Sequence, residues 1–295
     1  MITENNIGIN LGFANNRFPE PEVWTRIINE AGVKNVQFVA DILNPMLKYY
    51  DKSYYNSQIE KTIKYINERN INISSMMTSS FTRVNHFSHP DKGYRDIWFR
   101  WFYDFLYMGS RFGAKSAGSH FGILTMESLG NYDDMYSITV EYWYALAKVA
   151  KCLGYEYLFV EPMSVDREFG NTIEKSEQLL IDLKDTDIPV LVKNPVNADL
   201  DLWIGALERL NRAGVKKLGV IHRGFSTFDK IKYRNDPQWQ MAIELRSRYP
   251  ELPFFVDPSH MAGHKDYILE LSQRSLDLGF EGLMIESHCN PASAL

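Results

Sequence analysis

The sequence predicts an α/β fold, a TIM-type (β/α) barrel in which parallel strands alternate with helices. Three observations carry that prediction. Nine short runs rich in β-branched and aromatic residues recur along the 295 residues. Nearly all lack strict polar–apolar alternation, as expected of strands buried on both faces. Segments of helical period separate them, which is the rhythm of right-handed βαβ units. No Gly-x-Gly-x-x-Gly follows the first run, which weighs against a doubly wound dinucleotide-binding sheet.

The strand runs are Ile7 to Phe13, Val36 to Asp41, Ile73 to Thr78, Lys115 to Gly122 and Tyr155 to Met163. They continue with Ile188 to Pro195, Leu218 to Gly224, Pro253 to His260 and Gly282 to His288. Between them lie apolar stripes of helical spacing. The first is Val23, Ile27, Ile28 and Ala31, followed by Gly32 as a C-cap. Ile59, Ile63 and Ile66 make the second, and Trp98, Trp101, Phe102, Phe105 and Leu106 the third. Later stripes are Trp143, Leu146 and Val149; Ile173, Leu179, Leu180 and Leu183; and Leu207 with Leu210. Trp239, Ile243 and Leu245, then Ile268, Leu271 and Leu278, complete the series. Nine strands exceed the eight of a standard barrel, so one run lies outside the barrel or the barrel is not standard.

Composition bounds the function. Apolar residues make up 45% and charged residues 23% of the chain, ordinary values for a soluble globular protein. The length suits one large barrel or two small domains. A net charge of -5 gives no electrostatic reason to expect nucleic acid or an anionic membrane as partner. Two cysteines, Cys152 and Cys289, form neither a disulfide framework nor a zinc ribbon. A cytoplasmic setting is the expectation. The N-terminus lacks the pattern of a signal peptide, and no apolar run is long enough to span a bilayer.

In a β/α barrel the chemistry sits at the C-terminal ends of the strands. The groups there are His120, Glu161, Lys193, His222, Arg223, Asp257, His260, Glu286 and His288. Lys193 and Arg223 end successive strands. Lysine is a point-charge partner for phosphate or carboxylate, and arginine offers a bidentate fork. Glu161, Asp257, His260 and Glu286 are oxygen and nitrogen donors that suit Mn²⁺, Fe²⁺, Co²⁺ or Zn²⁺ better than a Ca²⁺ cage. Such a metal polarises a carbonyl oxygen. Single charges after a strand are commonly surface or ion-pair residues, but several donors on successive strand ends form a functional set. His86, His89 and His264 read as solvated loop residues, Cys152 as a packed thiol, and Cys289, close to Glu286 in sequence, more readily as a structural thiol than as one that enters the site.

Four motifs in the back of the chain resemble the short type of 3-deoxy-D-arabino-heptulosonate 7-phosphate (DAHP) synthase. They are Val192-Lys193-Asn194-Pro195, His222-Arg223-Gly224, Asp257-Pro258-Ser259-His260 and Glu286-Ser287-His288-Cys289-Asn290-Pro291. The resemblance spans about Ile188 to Leu295. It implies an enzyme of aromatic amino acid biosynthesis that joins phosphoenolpyruvate to erythrose 4-phosphate on a divalent metal. Lys193 and Arg223 would then hold phosphoenolpyruvate, and His260 and Glu286 would ligate the metal. As strand-end groups, His222 and His120 are expected among the substrate contacts, and Lys193 with Glu161 among the catalytic residues. The family's Gly-Pro-Cys and Lys-Pro-Arg motifs do not occur in the sequence. Its last ligand, an Asp, is expected about where the chain reaches Leu295.

Residues 1 to about 183 resemble instead a sugar-phosphate isomerase/epimerase of the xylose-isomerase-like superfamily. The motifs are Asn6-Ile7-Gly8-Ile9-Asn10, Ser119-His120-Phe121-Gly122 and Val160-Glu161-Pro162-Met163. This resemblance makes Glu161 a metal ligand and acid/base. The chain therefore reads as a mosaic of two barrel families, a single barrel joined near Asp182 to Asp187, with five strands in front and four behind. Three functions compete: a phosphoenolpyruvate-using aldol-type synthase, a metal-dependent sugar-phosphate isomerase or epimerase, and a catalytically silent barrel scaffold that binds phosphate or metal. The expected partner is a small phosphorylated ligand, and members of both families often form homo-oligomers.

Overall fold

The computed structural model describes residues 7–78, 82, 87–161, 166–170, 172–182, 189–229 and 231–286. Nine strands occur among them, and every pairing between them is parallel. They divide five and four between two compact units, Met1–Ser176 and Glu177–Leu295. The sequence joint was expected near Asp182 to Asp187; the division falls a few residues earlier, inside helix α6 (Ile173–Asp182).

The first unit carries strands β1 (Gly8–Asn10), β2 (Asn35–Val39), β3 (Asn72–Met77), β4 (Ser116–Ser119) and β5 (Tyr157–Val160), hydrogen-bonded in that order. Its helices are α1 (Pro21–Glu30), α2 (Leu47–Tyr50), α3 (Lys52–Glu68), α4 (Lys92–Arg111) and α5 (Tyr132–Cys152). Local chemistry sets their starts. Proline occupies the first turn of α1, where its missing N–H is not needed. Asp51 and Asp91 cap α3 and α4 by accepting the N–H groups of Tyr54 and Tyr94, each at 2.8 Å. Val36 and Phe38 of β2 are fully buried, and Phe38 meets Trp24 of α1 edge-on. A side chain at Gly118 of β4 would collide with the Phe159 ring of β5, so close packing of these strands requires glycine there.

The second unit holds β6 (Val190–Lys193), β7 (Leu218–His222), β8 (Phe254–Val256) and β9 (Gly282–Leu283), again in sequence order. Its helices are α7 (Leu200–Arg212), α8 (Trp239–Arg248), α9 (Pro258–Ala262) and α10 (Ile268–Asp277). Trp203, Val220, Phe254, Val256, Leu271 and Phe280 form the centre of one apolar cluster, and Phe254 stacks on Phe280 at 4.5 Å. Asp199 caps α7 through the Leu202 N–H.

Several expectations change in detail. The run Pro253 to His260 is not one strand. Asp257 accepts the His260 N–H and Pro258 fills the first turn, so the chain leaves β8 and enters α9. The first run ends as a strand at Asn10, whose side chain accepts the Gly12 N–H and starts a 3-10 turn over Leu11–Ala14. Cys152 is exposed rather than packed, because it ends α5 beyond the last buried residue, Ala150. His89 is half-buried and stacks on Tyr94 at 4.0 Å instead of standing in solvent. His86, His288 and Cys289 lie outside the described residues.

Candidate functional site

The second unit brings four of the expected residues into one line. Lys193 is the last residue of β6, and its Nζ lies 3.6 Å from Asp257 Oδ2. The same Oδ2 is 2.8 Å from His260 Nδ1, and that nitrogen is 3.9 Å from Glu286 Oε1. The groups thus run from the end of β6, across the exit of β8, to the segment after β9. Exposure grades along the line. Asp257 is buried at 2% of its side chain, His260 keeps 30%, Lys193 41%, and Glu286 76%. A small ligand from solvent therefore meets the lysine, imidazole and glutamate while Asp257 stays beneath them.

Asp257 is engaged on both oxygens. Oδ1 caps α9 through the His260 N–H at 3.0 Å, and Oδ2 faces the Lys193 ammonium and the His260 ring. It was expected among the metal ligands; its placement suits it better to bracing Lys193 and His260. The Nδ1 of His260 is buried and has no aligned hydrogen-bond partner despite its closeness to Asp257. Glu286 is held through its main chain, whose N–H donates to Ser259 Oγ at 2.8 Å. An unspent imidazole nitrogen between two carboxylates fits a divalent metal in donor type. Among the described residues, however, no group of three His, Cys, Asp or Glu side chains is arranged to hold one.

Arg223 follows β7 directly, and its Nε is buried with no hydrogen-bond partner among the described residues. A guanidinium held this way has donors left for an anion. His222, expected to contact substrate, is placed otherwise. Its ring is fully buried, stacked on Trp203 at 5.8 Å and set edge-on to Trp239. Its Nε2 donates to the Pro237 carbonyl at 2.6 Å. Burial pushes its pKa down to about 4, because the charged ring would lose its hydration. His222 is a neutral core histidine: alternation along the strand turns it toward Trp203 and Trp239 while Arg223 faces the other way.

Sequence reasoning passed over two asparagines. Asn194 is 4% exposed and ties the ends of β6 and β7 together. Asn235 donates to the His260 carbonyl at 2.6 Å. It sits on a strap that pairs Asp236 with Phe225, both bonds at 2.8 Å, and hydrogen-bonds Asn235 to Met261. Asn194 lay inside a quoted motif, so its signal was present; nothing local marked Asn235.

In the first unit, His120 and Glu161 end β4 and β5. His120 is 2% exposed, and its Nδ1 lies 3.1 Å from the Glu161 carbonyl oxygen. That bond makes Nδ1 the protonated nitrogen and leaves Nε2 as the basic one. The Glu161 side chain is exposed, while its N–H continues the sheet by donating to Ser119. Glu168 was not anticipated. It is fully buried, its Oε1 accepts the Gly122 N–H at 3.3 Å, and its Oε2 has no partner. Burial raises its pKa to about 7, against the lowering effect of the Gly122 and Phe121 N–H groups.

Comparison with known proteins finds relatives of two kinds. The DAHP synthetase I family model matches residues 170–295. The chain is 31% identical over 107 residues to the phospho-2-dehydro-3-deoxyheptonate aldolase of Thermotoga maritima, covering 36% of this chain and 31% of that one. It is 28% identical over 168 residues to the D-erythrulose 1-phosphate 3-epimerase of Brucella abortus, covering 56% and 53%. The chain thus spans about half the length of one curated relative and about a third of the other. Among solved structures, a Rhodospirillum rubrum protein assigned as a xylose isomerase aligns with a TM-score of 0.63 at 19% identity, covering 83% of this chain and 87% of that one. The D-psicose 3-epimerase of Clostridium cellulolyticum aligns at 0.55 and 14% identity, covering 84% and 83%. These likenesses show the α/β fold of parallel strands. No helix among the described residues is long and apolar enough to cross a membrane. One sequence therefore joins two resemblances: residues 170–295 are similar to the DAHP synthetase I family, and the chain is also similar to a sugar-phosphate epimerase and shares the fold of xylose-isomerase-like proteins.

Proposed function

We propose that the strand ends of the second unit bind phosphoenolpyruvate and that the chain is a metal-dependent aldol-type synthase of the DAHP-synthase kind. The observation that carries this reading is the continuous line of Lys193, Asp257, His260 and Glu286, with the unpartnered Nε of Arg223 at the end of the neighbouring strand. Lys193 and Arg223 hold the phosphate and carboxylate of the ligand. Asp257 keeps Lys193 and His260 oriented from below. His260 and Glu286 would hold a divalent metal, which supplies Lewis-acid polarisation of an aldehyde oxygen when bound. The test is phosphate release from phosphoenolpyruvate with erythrose 4-phosphate and Mn²⁺. Release that disappears in Lys193→Ala supports the proposal; equal release from the variant, or binding of phosphoenolpyruvate with no release, removes the synthase reading.

A second reading has its own observation. His120 and Glu161 are joined at the ends of β4 and β5, and the curated relative with the longer match is an epimerase acting on a sugar phosphate. In this reading Glu161 moves a proton at the carbon beside a ketose carbonyl, and His120 contacts the substrate. Incorporation of solvent deuterium into a ketose phosphate, abolished in Glu161→Gln, supports it. Absence of exchange removes it.

A further inference from the structure

We infer that Asn194 is a positioning residue: it fixes the register of Lys193 and Arg223 and so sets how tightly a phosphorylated carboxylate is held. The inference rests on the phosphate reading of those two cations. The backbone pairing of β6 with β7 runs from Val190 opposite Leu218 to Lys193 opposite Ile221. One further backbone rung follows, from Asn194 N–H to Ile221 O at 3.1 Å. There the backbone ladder runs out of material. Pro195 has no N–H to donate, and Gly224 turns away with φ +75°.

The Asn194 side chain takes over. Its Oδ1 accepts the Arg223 N–H at 2.7 Å, and its Nδ2 donates to Gly224 O at 2.8 Å and to Pro195 O at 2.9 Å. A carboxamide carries the same acceptor and donor as a peptide group. One side chain therefore supplies the rung that the backbone cannot. It holds Arg223 through its own N–H and through the next residue's carbonyl. Lys193 is covalently adjacent, so both cations are set by one amide. Aspartate lacks the donor, and alanine lacks both groups.

The experiment uses the full chain, labelled with ¹⁵N. Arg223→Lys assigns the Arg223 Nε–H signal, and calorimetry without metal gives the phosphoenolpyruvate Kd. In Asn194→Ala, the Arg223 Nε–H signal broadens and exchanges faster with solvent, and Kd rises about tenfold or more. Asn194→Asp keeps the bond to the Arg223 N–H but not the bond to Gly224 O. It shows both changes and serves should the alanine variant fail to fold. Leu207→Ala, a core truncation, lowers the melting temperature while leaving the Arg223 signal and Kd unchanged. If Asn194→Ala only lowers the melting temperature, with the signal kept and Kd within about twofold, the inference is overturned. If the unsubstituted chain binds no phosphoenolpyruvate, the phosphate reading fails; the Arg223 signal then decides alone, and unchanged exchange overturns the inference.

Discussion

Asp257 meets His260 at both oxygens: Oδ1 accepts the histidine's main-chain N–H at 3.0 Å, and Oδ2 lies 2.8 Å from its Nδ1 without an aligned hydrogen bond. One carboxylate therefore starts α9, aims the imidazole and faces Lys193. Asp257→Ala removes the cap, which costs about 1 kcal/mol by itself. It also removes the carboxylate that Lys193 and the His260 ring both face. We expect reduced stability in urea unfolding together with weaker phosphoenolpyruvate binding. Loss of stability with binding intact would show that Asp257 serves the helix and not the site.

Two buried titratable groups give the two units opposite responses to pH. His222 in the second unit has its pKa lowered from 6.5 to about 4. Between those values the unfolded chain binds the proton and the folded chain does not, so stability rises with pH through that window. The span corresponds to roughly 3 kcal/mol as an upper bound. His222→Phe keeps the aromatic packing against Trp203 and removes the titration. Urea unfolding at pH 7 and at pH 4.5 should show a smaller acid penalty in the variant. Equal penalties would mean that His222 is hydrated on a fast timescale and does not titrate as a core group.

Glu168 in the first unit works in the other direction. Its pKa is raised from 4.5 to about 7. The folded chain holds a proton there that the unfolded chain has lost, so stability falls as pH rises from 4.5 through 7. Glu168→Gln removes this dependence and keeps an acceptor for the Gly122 N–H. Hydrogen exchange of residues 116–124 reports it locally: at pH 8 the variant should be better protected than the parent, and at pH 4.5 the two should match. Equal protection at pH 8 would place water or a cation beside Oε2.

What was legible in the sequence follows from what each residue type must do. The nine strands were readable because buried parallel strands are continuous apolar runs, whereas their division into five and four rested on the two family resemblances. The Asp257 turn was misread as strand because Pro253 to Val256 sets a β expectation that a cap three residues ahead of His260 overrides. Lys193 was readable as a strand-end group, whereas His260, expected there too, lies in the first turn of α9. His222 was not separable from Arg223, since adjacent residues at a strand end face opposite ways and sequence does not say which faces the site. Asn235 was invisible because its role is made by a strap that meets His260 only in three dimensions. Glu168 was equally hidden: a lone glutamate in a polar stretch gives no sign of complete burial.

Arg223 has a prediction of its own. Its Nε is buried and has no hydrogen-bond partner among the described residues. Arg223→Lys preserves the charge and removes the fork, so phosphoenolpyruvate affinity should fall about tenfold, or about 1.4 kcal/mol. Inorganic phosphate, a smaller ligand with fewer planar contacts, should lose less. Equal losses for both ligands would indicate that Arg223 acts as a point charge.

The last prediction separates two reasons for a glycine. Gly224 and Gly279 both have left-handed backbone, at φ +75° and +76°. A Cβ at Gly279 meets nothing within 4 Å, whereas at Gly224 it would lie 2.9 Å from Asn235 Cβ and 3.1 Å from Asp236 O. Gly279→Ala thus measures the backbone cost alone, about 1 kcal/mol. Gly224→Ala adds displacement of the strap at Asn235 and Asp236, and should cost about 1–3 kcal/mol more. That strap holds the His260 carbonyl through Asn235 and accepts the His222 ring through Pro237. Gly224→Ala should therefore weaken phosphoenolpyruvate binding, while Gly279→Ala leaves it unchanged. Calorimetric Kd values for the pair decide the matter: equal binding in both variants would show that the strap yields without moving the residues beneath it.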